Sequence, residues 1–306
     1  MDTASTARLL AGVTVFGPDR ALLTALLDRL RAESIPTLAY IDGPVGKAIE
    51  ADLLAELTSR PGLTLIHAPD NQGIGAGLNA LAERAGKLGA ERLLIFDQDS
   101  LPNSGMAAAL DARMTTLANA GERPAAIGPR PVAPPAKAGA EYQPPRYPAM
   151  PGRRPRVGAK PVRYLISSGT LLDLAAFDAV GPFRADYVID AIDVEWCFRA
   201  WSRGWSVWLA EDVTMEHRIG HGVIRLGPLR FPRQSPSRMT TYIRNQAHGL
   251  RLPHVPLGWK LRSLLYLPLQ IAVVSANGPR PGSMLARLIG AARDGLAGRL
   301  GRLDER

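Results

Sequence analysis

The sequence predicts an α/β fold in which a mixed, mostly parallel sheet is flanked by helices and followed by a C-terminal helical extension. Short apolar runs alternate with leucine-rich stretches of helical spacing over the first hundred residues. This alternation is typical of parallel strands joined by right-handed crossovers. Near the other end, residues 284–303 repeat Leu and Ile against Arg at helical spacing. We therefore expect one domain over 1–225 and a basic amphipathic helical extension over 226–306.

The first elements follow from the apolar spacing. Val13–Phe16 and Thr37–Ile41 read as strands, and residues 21–30 between them place five leucines on one helical face. Residues 47–57 predict a second helix, and Leu63–Ile66 predicts a third strand.

The most informative stretch is Leu93–Phe96, an apolar run that predicts a buried strand and is followed by Asp97 and Asp99. In open α/β sheets, ligands bind outside the carboxyl ends of strands. Carboxylate oxygens there suit Mg²⁺ or Mn²⁺ carrying substrate phosphates. The structural alternative is that Asp99 and Ser100 cap the following helix.

Three glycines, Gly73, Gly75 and Gly77, lie between the third strand and the next helix. Their spacing does not match the G-x-G-x-x-G dinucleotide fingerprint. They still allow close backbone approach to a ligand at a helix N-terminus, although a simple tight turn explains them as well.

Residues 131–163 contain nine prolines and a single acid, Glu141. Such a composition disfavours helices and central strands, so we expect a mobile surface loop there. A lid over a site and a passive insertion are both compatible with this composition.

Acidic residues crowd the start of a helix that ends before Gly204. The helix macrodipole alone would favour carboxylates there. Asp190 and Asp193 are three residues apart and share a face, whereas Glu195 points elsewhere. His217 follows a later strand in a glycine-marked turn, where it is either a metal ligand or an ordinary surface or core histidine.

The basic charge is concentrated at the C-terminal end. Residues 225–306 contain 14 Lys or Arg and 3 Asp or Glu, a net charge of +11, so the first 224 residues carry −2 of the total of +9. A basic end indicates an anionic partner: a membrane surface, a nucleic acid or a phosphorylated acceptor. Nucleic acid is disfavoured because stacking aromatics do not interleave with the basic residues. The helices of 226–306 either lie on an anionic membrane or pack on the domain or on a second subunit.

The number of cysteines and the length of the apolar runs indicate the cellular compartment. The single cysteine, Cys197, excludes an internal disulfide framework. The N-terminus lacks a secretory pattern, and no uncharged apolar run reaches the 18 or so residues that span a bilayer. We expect a cytoplasmic protein, peripheral at the inner face of the plasma membrane.

Taken together, five motifs resemble the inverting family 2 glycosyltransferases of GT-A (Rossmann-like) fold, in particular their rhamnosyltransferase-like branch. The resemblance covers roughly residues 11–250. The motifs are residues 71–79, the D-x-D of 97–99, residues 167–170, the acidic helix of 189–200, and Arg238 with Tyr242, Arg244 and Asn245.

The resemblance implies roles on the donor side. Asp42 would accept the N3–H of a uracil or thymine ring. The loop that contains Asn71, Gly73 and Asn79 would lie on the nucleotide side, and Arg244 or Arg238 would add to the stabilisation of the negative charge on the diphosphate.

The resemblance also implies a metal and an acceptor side. Asp97 would lie near the ribose and the metal, while Asp99 and His217 would ligate Mg²⁺ or Mn²⁺ and Asp193 would be the catalytic base. The residues expected on the acceptor side are Ser168, Gly169, Thr170, Asp190, Glu195 and Trp196.

The function implied is metal-dependent, inverting transfer of a sugar, with L-rhamnose from dTDP-rhamnose as the expected donor, to a glycan or lipid-linked acceptor. Two departures bear on the nucleotide: Phe16-Gly17-Pro18 stands where the family has Tyr-Asn-Pro, and Gly43-Pro44-Val45 stands where it has Asn-Gly-Ser. The alternatives are a catalytically altered scaffold of this fold and, less favoured, a nucleic-acid-binding protein.

Overall fold

The computed structural model describes residues 8–133, 145–217, 222–227, 229–278 and 280–302, and it confirms the α/β fold class. The N-terminal half alternates strands and helices as the sequence predicts. Its elements are β1 (Leu9–Val15), α1 (Arg20–Ala32), β2 (Thr37–Asp42), α2 (Ala51–Thr58), β3 (Leu63–Ala68), α3 (Ile74–Lys87) and β4 (Arg92–Asp97).

Two boundaries differ from the sequence prediction. The first strand begins at Leu9 and ends before Phe16. The second helix begins at Ala51 and not at residue 47, because a turn bridged between Val45 and Ile49 comes first.

The remaining elements mix short strands with helices. They are β5 (Leu101–Pro102), α4 (Met106–Asn119), β6 (Pro124–Val132), β7 (Lys160–Pro161), β8 (Thr170–Asp173), α5 (Leu174–Val180), a 3₁₀ turn (Ala185–Tyr187), α6 (Ile192–Ser202), β9 (Ser206–Glu216), β10 (Val223–Leu226), β11 (Leu229–Pro232), α7 (Pro236–Gly249), α8 (Leu257–Ala276) and α9 (Pro281–Ala297).

The main sheet has the strand order β3-β2-β1-β4-β8-β6-β9-β5, with β7 beside β9. The first four strands in this order are parallel, and β8 runs antiparallel to both β4 and β6. The register pairs Thr14 with Asp97 and Val15 with Ile41. The carboxyl ends of β1, β2 and β4 therefore meet at one edge, and this edge carries Asp42 and Asp97.

The prediction of a proline-rich loop over 131–163 was wrong at both ends, where the structure has strands. Strand β6 continues to Val132 and pairs in parallel with β9, and β7 pairs with β9 as well. Strand β6 accommodates Pro129 and Pro131 because its pairing with β9 shifts register at Pro129/Arg130. Residues 134–144 of the expected loop lie outside the described residues.

Two apolar clusters fill the two faces of the main sheet, and a third belongs to the C-terminal part. The third cluster joins the β10–β11 hairpin to α7, α8 and α9. Its members include Ile224, Phe231, Met239, Ile243, Leu267, Ile271 and Leu288. Within the described ranges, none of the helices is both long enough and apolar enough to cross a membrane.

Candidate active site

Asp42, at the end of β2, anchors the glycine loop. Its Oδ1 accepts the backbone N–H of Gln72 at 2.6 Å, and its Oδ2 accepts that of Gly73 at 3.0 Å. Burial raises the pKa of the Asp42 carboxyl, and these two hydrogen bonds oppose the rise. Each carboxylate oxygen keeps a further lone pair that is available to accept the N3–H of a pyrimidine base. That contact stays a prediction.

Gly73, just before α3, and Gly75, in its first turn, make room for another part of the chain. A Cβ on Gly73 would lie 2.6 Å from the Val188 carbonyl oxygen, and one on Gly75 would lie 2.6 Å from that of Arg184. Gly73 also has a φ of +86°. The close approach expected at these positions is made by the 184–188 segment, and approach to a ligand there is not supported.

Asn79 also binds another segment of the chain rather than facing a ligand site. Its Nδ2 donates to the Phe183 carbonyl at 2.9 Å, and its Oδ1 accepts the Phe183 N–H at 2.8 Å. This pair binds α3 to the segment before the 3₁₀ turn, so a donor contact by Asn79 is not supported. Asn71, half-buried, lies beside Gly43 just after β2 and stays a predicted donor-side residue.

The D-x-D turn after β4 is fastened to the end of β1 by its middle residue. Gln98 Oε1 accepts the Phe16 N–H at 2.8 Å, and Gln98 Nε2 donates to the Phe16 carbonyl at 3.0 Å. Sequence reasoning missed Gln98. The sequence did offer a signal for this contact. Gln98 is an amide between two acids at the end of β4, which lies beside β1, and an amide can both donate to and accept from a neighbouring backbone.

A buried hydroxyl–imidazole cluster supports the same turn. Ser168 Oγ lies 2.6 Å from Ser100 Oγ and accepts the Asp97 backbone N–H at 3.1 Å. Ser100 Oγ lies 3.2 Å from His217 Nδ1. Ser168 is therefore placed behind the D-x-D turn, where an acceptor contact is not supported.

The two residues after Ser168 are also engaged within the protein. Thr170 Oγ1 donates to the Ile166 carbonyl at 2.7 Å, and a Cβ on Gly169 would lie 2.8 Å from the Met215 sulfur. Both residues are engaged with the β8 turn, so their expected acceptor role is not supported either.

The donor set around Asp97 suits a divalent cation. Asp97 lies within electrostatic range of the Asp99 carboxylate and of His217. Burial raises the pKa of the Asp97 carboxyl, and repulsion from Asp99 adds to the rise. Because Ser100 binds His217 Nδ1, the Nε2 atom is the nitrogen left for a metal.

In the part of the chain that is described, three or more His, Cys, Asp or Glu side chains do not gather closely enough to form a complete metal site. Mg²⁺ and Mn²⁺ commonly take one or two protein carboxylates and complete their coordination with substrate phosphates. The Asp97 and Asp99 pair meets that requirement, so these residues fit the metal.

Asp193 lies in the first turn of α6, facing Asp97. Its Oδ2 accepts the Ser167 N–H at 3.1 Å, and its Oδ1 accepts the Val194 N–H at 2.8 Å. Burial raises the pKa of Asp193 to about 6, and the nearby charges of Asp97 and Asp190 add to the rise. A fixed carboxylate whose pKa approaches neutrality is suited to general-base chemistry.

The loop before α6 is strained and is held by α7. Val188, Asp190 and Ala191 have φ values of 64°, 68° and 64°. Asn245 Nδ2 lies within 3.0 Å of the carbonyl oxygens of Tyr187, Ile189 and Asp190. The strained conformation that presents Asp190 and Asp193 therefore depends on an amide from the C-terminal part.

Arg244 does not lie where a diphosphate contact requires it. Its side chain is 0% exposed, and it donates to backbone carbonyls, including those of Tyr187 and Gly301. A guanidinium engaged in this way positions the 186–190 loop. Donor binding by Arg244 is therefore not supported.

Arg238 is the arginine that reaches the site. Its Nε and Nη2 bind both carboxylate oxygens of Asp190 at 2.9–3.3 Å, and its charge lowers the pKa of Asp97 against the larger effect of burial. Its side chain is 41% exposed. Choosing between Arg238 and Arg244 required knowing which face of α7 points inward.

Glu195 and Trp196 are both buried and engaged with other parts of the chain. Glu195 is buried and binds Arg199 and His254, and these contacts lower its pKa although burial opposes them. Trp196 is buried and donates its indole N–H to the Gly181 carbonyl at 2.9 Å. Their expected acceptor contacts are not supported.

Comparisons with known proteins agree with this geometry. Over 294 residues the chain is 26% identical to the dTDP-rhamnosyl transferase RfbF of Shigella flexneri, covering 94% of this chain and 95% of that protein. No protein-family model matches the chain.

Two solved structures have the same fold. GalNAc-T7, crystallised with UDP, GalNAc and Mn²⁺, superposes with a TM-score of 0.57 at 13% identity. That match covers 89% of this chain and 58% of GalNAc-T7, so the chain spans little more than half of that protein. Mannosyltransferase PcManGT from Pyrobaculum calidifontis, in complex with GDP-Man and Mn²⁺, gives a TM-score of 0.55 at 15% identity over 95% of this chain and 88% of that one.

The fold is the GT-A fold of these glycosyltransferases, and the similarity to the Shigella protein over nearly the whole chain indicates the same class of enzyme, a glycosyltransferase. Within that class, the similarity to a dTDP-rhamnosyl transferase supports the resemblance to rhamnosyltransferases.

Proposed function

We propose that this glycosyltransferase moves L-rhamnose from dTDP-rhamnose to a hydroxyl group of a glycan or lipid-linked acceptor, with inversion at the anomeric carbon. The observation that carries the proposal is the Asp193 carboxylate, fixed by two backbone N–H groups opposite Asp97 and with a pKa of about 6. The similarity to a dTDP-rhamnosyl transferase over nearly the whole chain supports the choice of donor.

The donor would occupy the edge formed by the ends of β1, β2 and β4. Asp42 and the half-buried Asn71 lie on one side of this edge, and the D-x-D turn lies on the other. Phe16, which is 48% exposed after β1, offers an apolar ring near the pyrimidine. The Gln98 amide fixes the backbone that carries this ring.

Asp97 and Asp99, with His217, would hold Mg²⁺ or Mn²⁺ against the donor diphosphate. The GalNAc-T7 and PcManGT structures both contain Mn²⁺, which supports a divalent metal here. Such an ion, when bound, acts as a Lewis acid toward the phosphate oxygens. Arg238, close to Asp97 and partly exposed, supplies a further positive charge on that side.

Asp193 acts on the acceptor. Its carboxylate takes the proton of the attacking hydroxyl while the new oxygen–C1 bond forms and the bond from C1 to the diphosphate oxygen breaks. One carboxylate suffices for this single displacement, and such a base is worth roughly 10²–10⁴ in rate. The hydrogen bonds from Ser167 and Val194 keep the carboxylate from rotating away.

A donor screen tests the proposal. Thermal shift and donor hydrolysis are measured with dTDP-rhamnose, UDP-galactose, UDP-glucose and GDP-mannose, with and without Mn²⁺. We expect stabilisation by dTDP-rhamnose that disappears with EDTA. Stabilisation by a different donor would contradict the choice of sugar, and no response to any donor would contradict the transferase function.

A further inference from the structure

The outer face of α8 is apolar along its whole length. Nearly all of its exposed residues are hydrophobic or glycine, and Arg262 is the exception. The leucines among them are 36–80% exposed, with Leu265 the most exposed. The exposed apolar residues of α8 are Leu257, Leu261, Leu264, Leu265, Pro268, Leu269, Ala272 and Ala276.

The inner face of the same helix packs Leu267, Ile271 and Val274 into the third apolar cluster and also buries Gln270 and Ser275. A helix whose outer face meets water is normally polar on that face, whereas α8 is apolar on both. Its twenty residues make a stripe about 30 Å long, which is large for an exposed apolar surface on a monomer.

The β10–β11 hairpin adds to this surface. Leu226 and Leu229, at its turn, are 48% and 40% exposed. The hairpin is fixed to α8, because the ring of Tyr266 stacks on Phe231 at 5.3 Å and its hydroxyl donates to the Arg230 carbonyl at 3.2 Å. The hairpin and α8 therefore move as one unit.

The charge around this apolar surface has one sign. No Asp or Glu occurs between Glu216 and Asp294, whereas twelve Lys or Arg do. Lys260 and Arg262 lie on α8, and Arg225 lies beside the hairpin turn.

From these observations we propose that α8 and the tip of the β10–β11 hairpin form a docking surface for a lipid bilayer rich in anionic headgroups. Leucines would enter the boundary between headgroups and acyl chains, and the surrounding Lys and Arg would attract the lipid phosphates. Self-association by this face is the competing occupant, and it is the less favoured one because Lys260 and Arg262 lie on α8 and the helix carries no Asp or Glu to pair with them across a contact between copies.

Docking in this orientation would bring the acceptor side of the site close to the lipid. Trp259, in the first turn of α8, contacts Tyr164 and Phe198 with ring centroids 5.6 and 5.2 Å apart. Phe198 lies on α6, the helix that carries Asp193. Helix α8 therefore packs directly, through Trp259, on the helix of the proposed base.

Vesicle sedimentation tests the docking surface without any sugar donor, so its failure is distinguishable from failure of the proposed function. The full chain is mixed with vesicles of phosphatidylcholine alone or of phosphatidylcholine with phosphatidylglycerol. We expect binding to the anionic vesicles that weakens at high salt, and little binding to the neutral ones. Failure to bind the anionic vesicles would overturn the proposal.

Two variants locate the surface. The double substitution Leu261→Gln with Leu265→Gln removes exposed leucines without adding charge and should weaken vesicle binding about tenfold or more. The matched control Leu88→Gln changes an exposed leucine just after α3 and should bind like the wild type. Equal binding by the double variant would overturn the proposal.

Sedimentation velocity measures the oligomeric state and tests the alternative that this face binds a second copy of the chain. The wild type should be a monomer without vesicles. A dimer that the Leu261→Gln and Leu265→Gln variant converts to a monomer would instead assign the face to contact between copies and overturn the membrane proposal.

Discussion

Asn245 donates its side-chain amide to the Tyr187 carbonyl at 3.0 Å, joining helix α7 of the C-terminal part to the strained loop before α6. The same nitrogen lies 2.9 Å from the Ile189 oxygen and 3.0 Å from that of Asp190. Helix α7 therefore helps to hold the loop that precedes the proposed base, Asp193.

Replacing this amide should loosen the loop. In Asn245→Ala the carbonyls lose a buried donor, and we expect the free energy of unfolding to fall by about 2–4 kcal/mol, measured by urea denaturation. Asn277→Ala is the matched control, because its amide bonds one carbonyl at an exposed position. Equal stability of the two variants would show that Asn245 does not support the loop.

The glycines of α3 provide a matched pair. A Cβ on Gly75 would meet the Arg184 carbonyl at 2.6 Å, whereas one on Gly86 would meet nothing within 4 Å. Gly75→Ala should lower the free energy of unfolding by about 1–3 kcal/mol, and Gly86→Ala should raise it by about 0.5–1 kcal/mol. Thermal or urea unfolding checks both, and a stabilised Gly75→Ala would refute the close packing of α3 against the 184–188 segment.

Arg238 should matter for activity more than for stability, because its side chain is 41% exposed but its charge acts on Asp97. We expect Arg238→Gln to lower kcat/KM by about 10–1,000-fold with little change in Tm. Arg293→Gln, an exposed position on α9, should leave both unchanged. Normal kcat/KM in Arg238→Gln would remove this residue from the site.

The dependence of kcat/KM on pH should show the pKa of the proposed base, Asp193. Because burial raises the pKa of Asp193 to about 6, the carboxyl is protonated and inactive as a base below that pH. We expect kcat/KM to rise with pH and to level off above pH 6. An acid limb near the ordinary aspartate value of about 4 would mean that another group controls the reaction.

Much of the fold was predictable because its signals are local. The apolar runs of β1 to β4 and the leucine spacing of α1 depend on neighbours in sequence, and the structure reproduces them. Strand β6 was missed because it contains Pro129 and Pro131, which only a register shift against β9 makes compatible with a strand.

The candidate site was predictable in part. Asp42 and Asp97 end two of the predicted strands and Asp193 lies in the first turn of the predicted acidic helix, while their roles stay predictions. The structural roles of Arg244 and Asn79 could not be inferred from the sequence. Both side chains bind backbone carbonyls of segments that are distant in sequence and come close only in the folded chain.

The most direct measurement compares Asp193→Asn with the wild type in two assays, steady-state transfer from dTDP-rhamnose and donor binding by calorimetry. Asparagine keeps the size of the side chain and cannot accept the hydroxyl proton. The account predicts that kcat falls about 10²–10⁴-fold while the donor Kd stays within about threefold. Transfer at a near-normal rate, or loss of donor binding together with activity, would contradict Asp193 as the catalytic base.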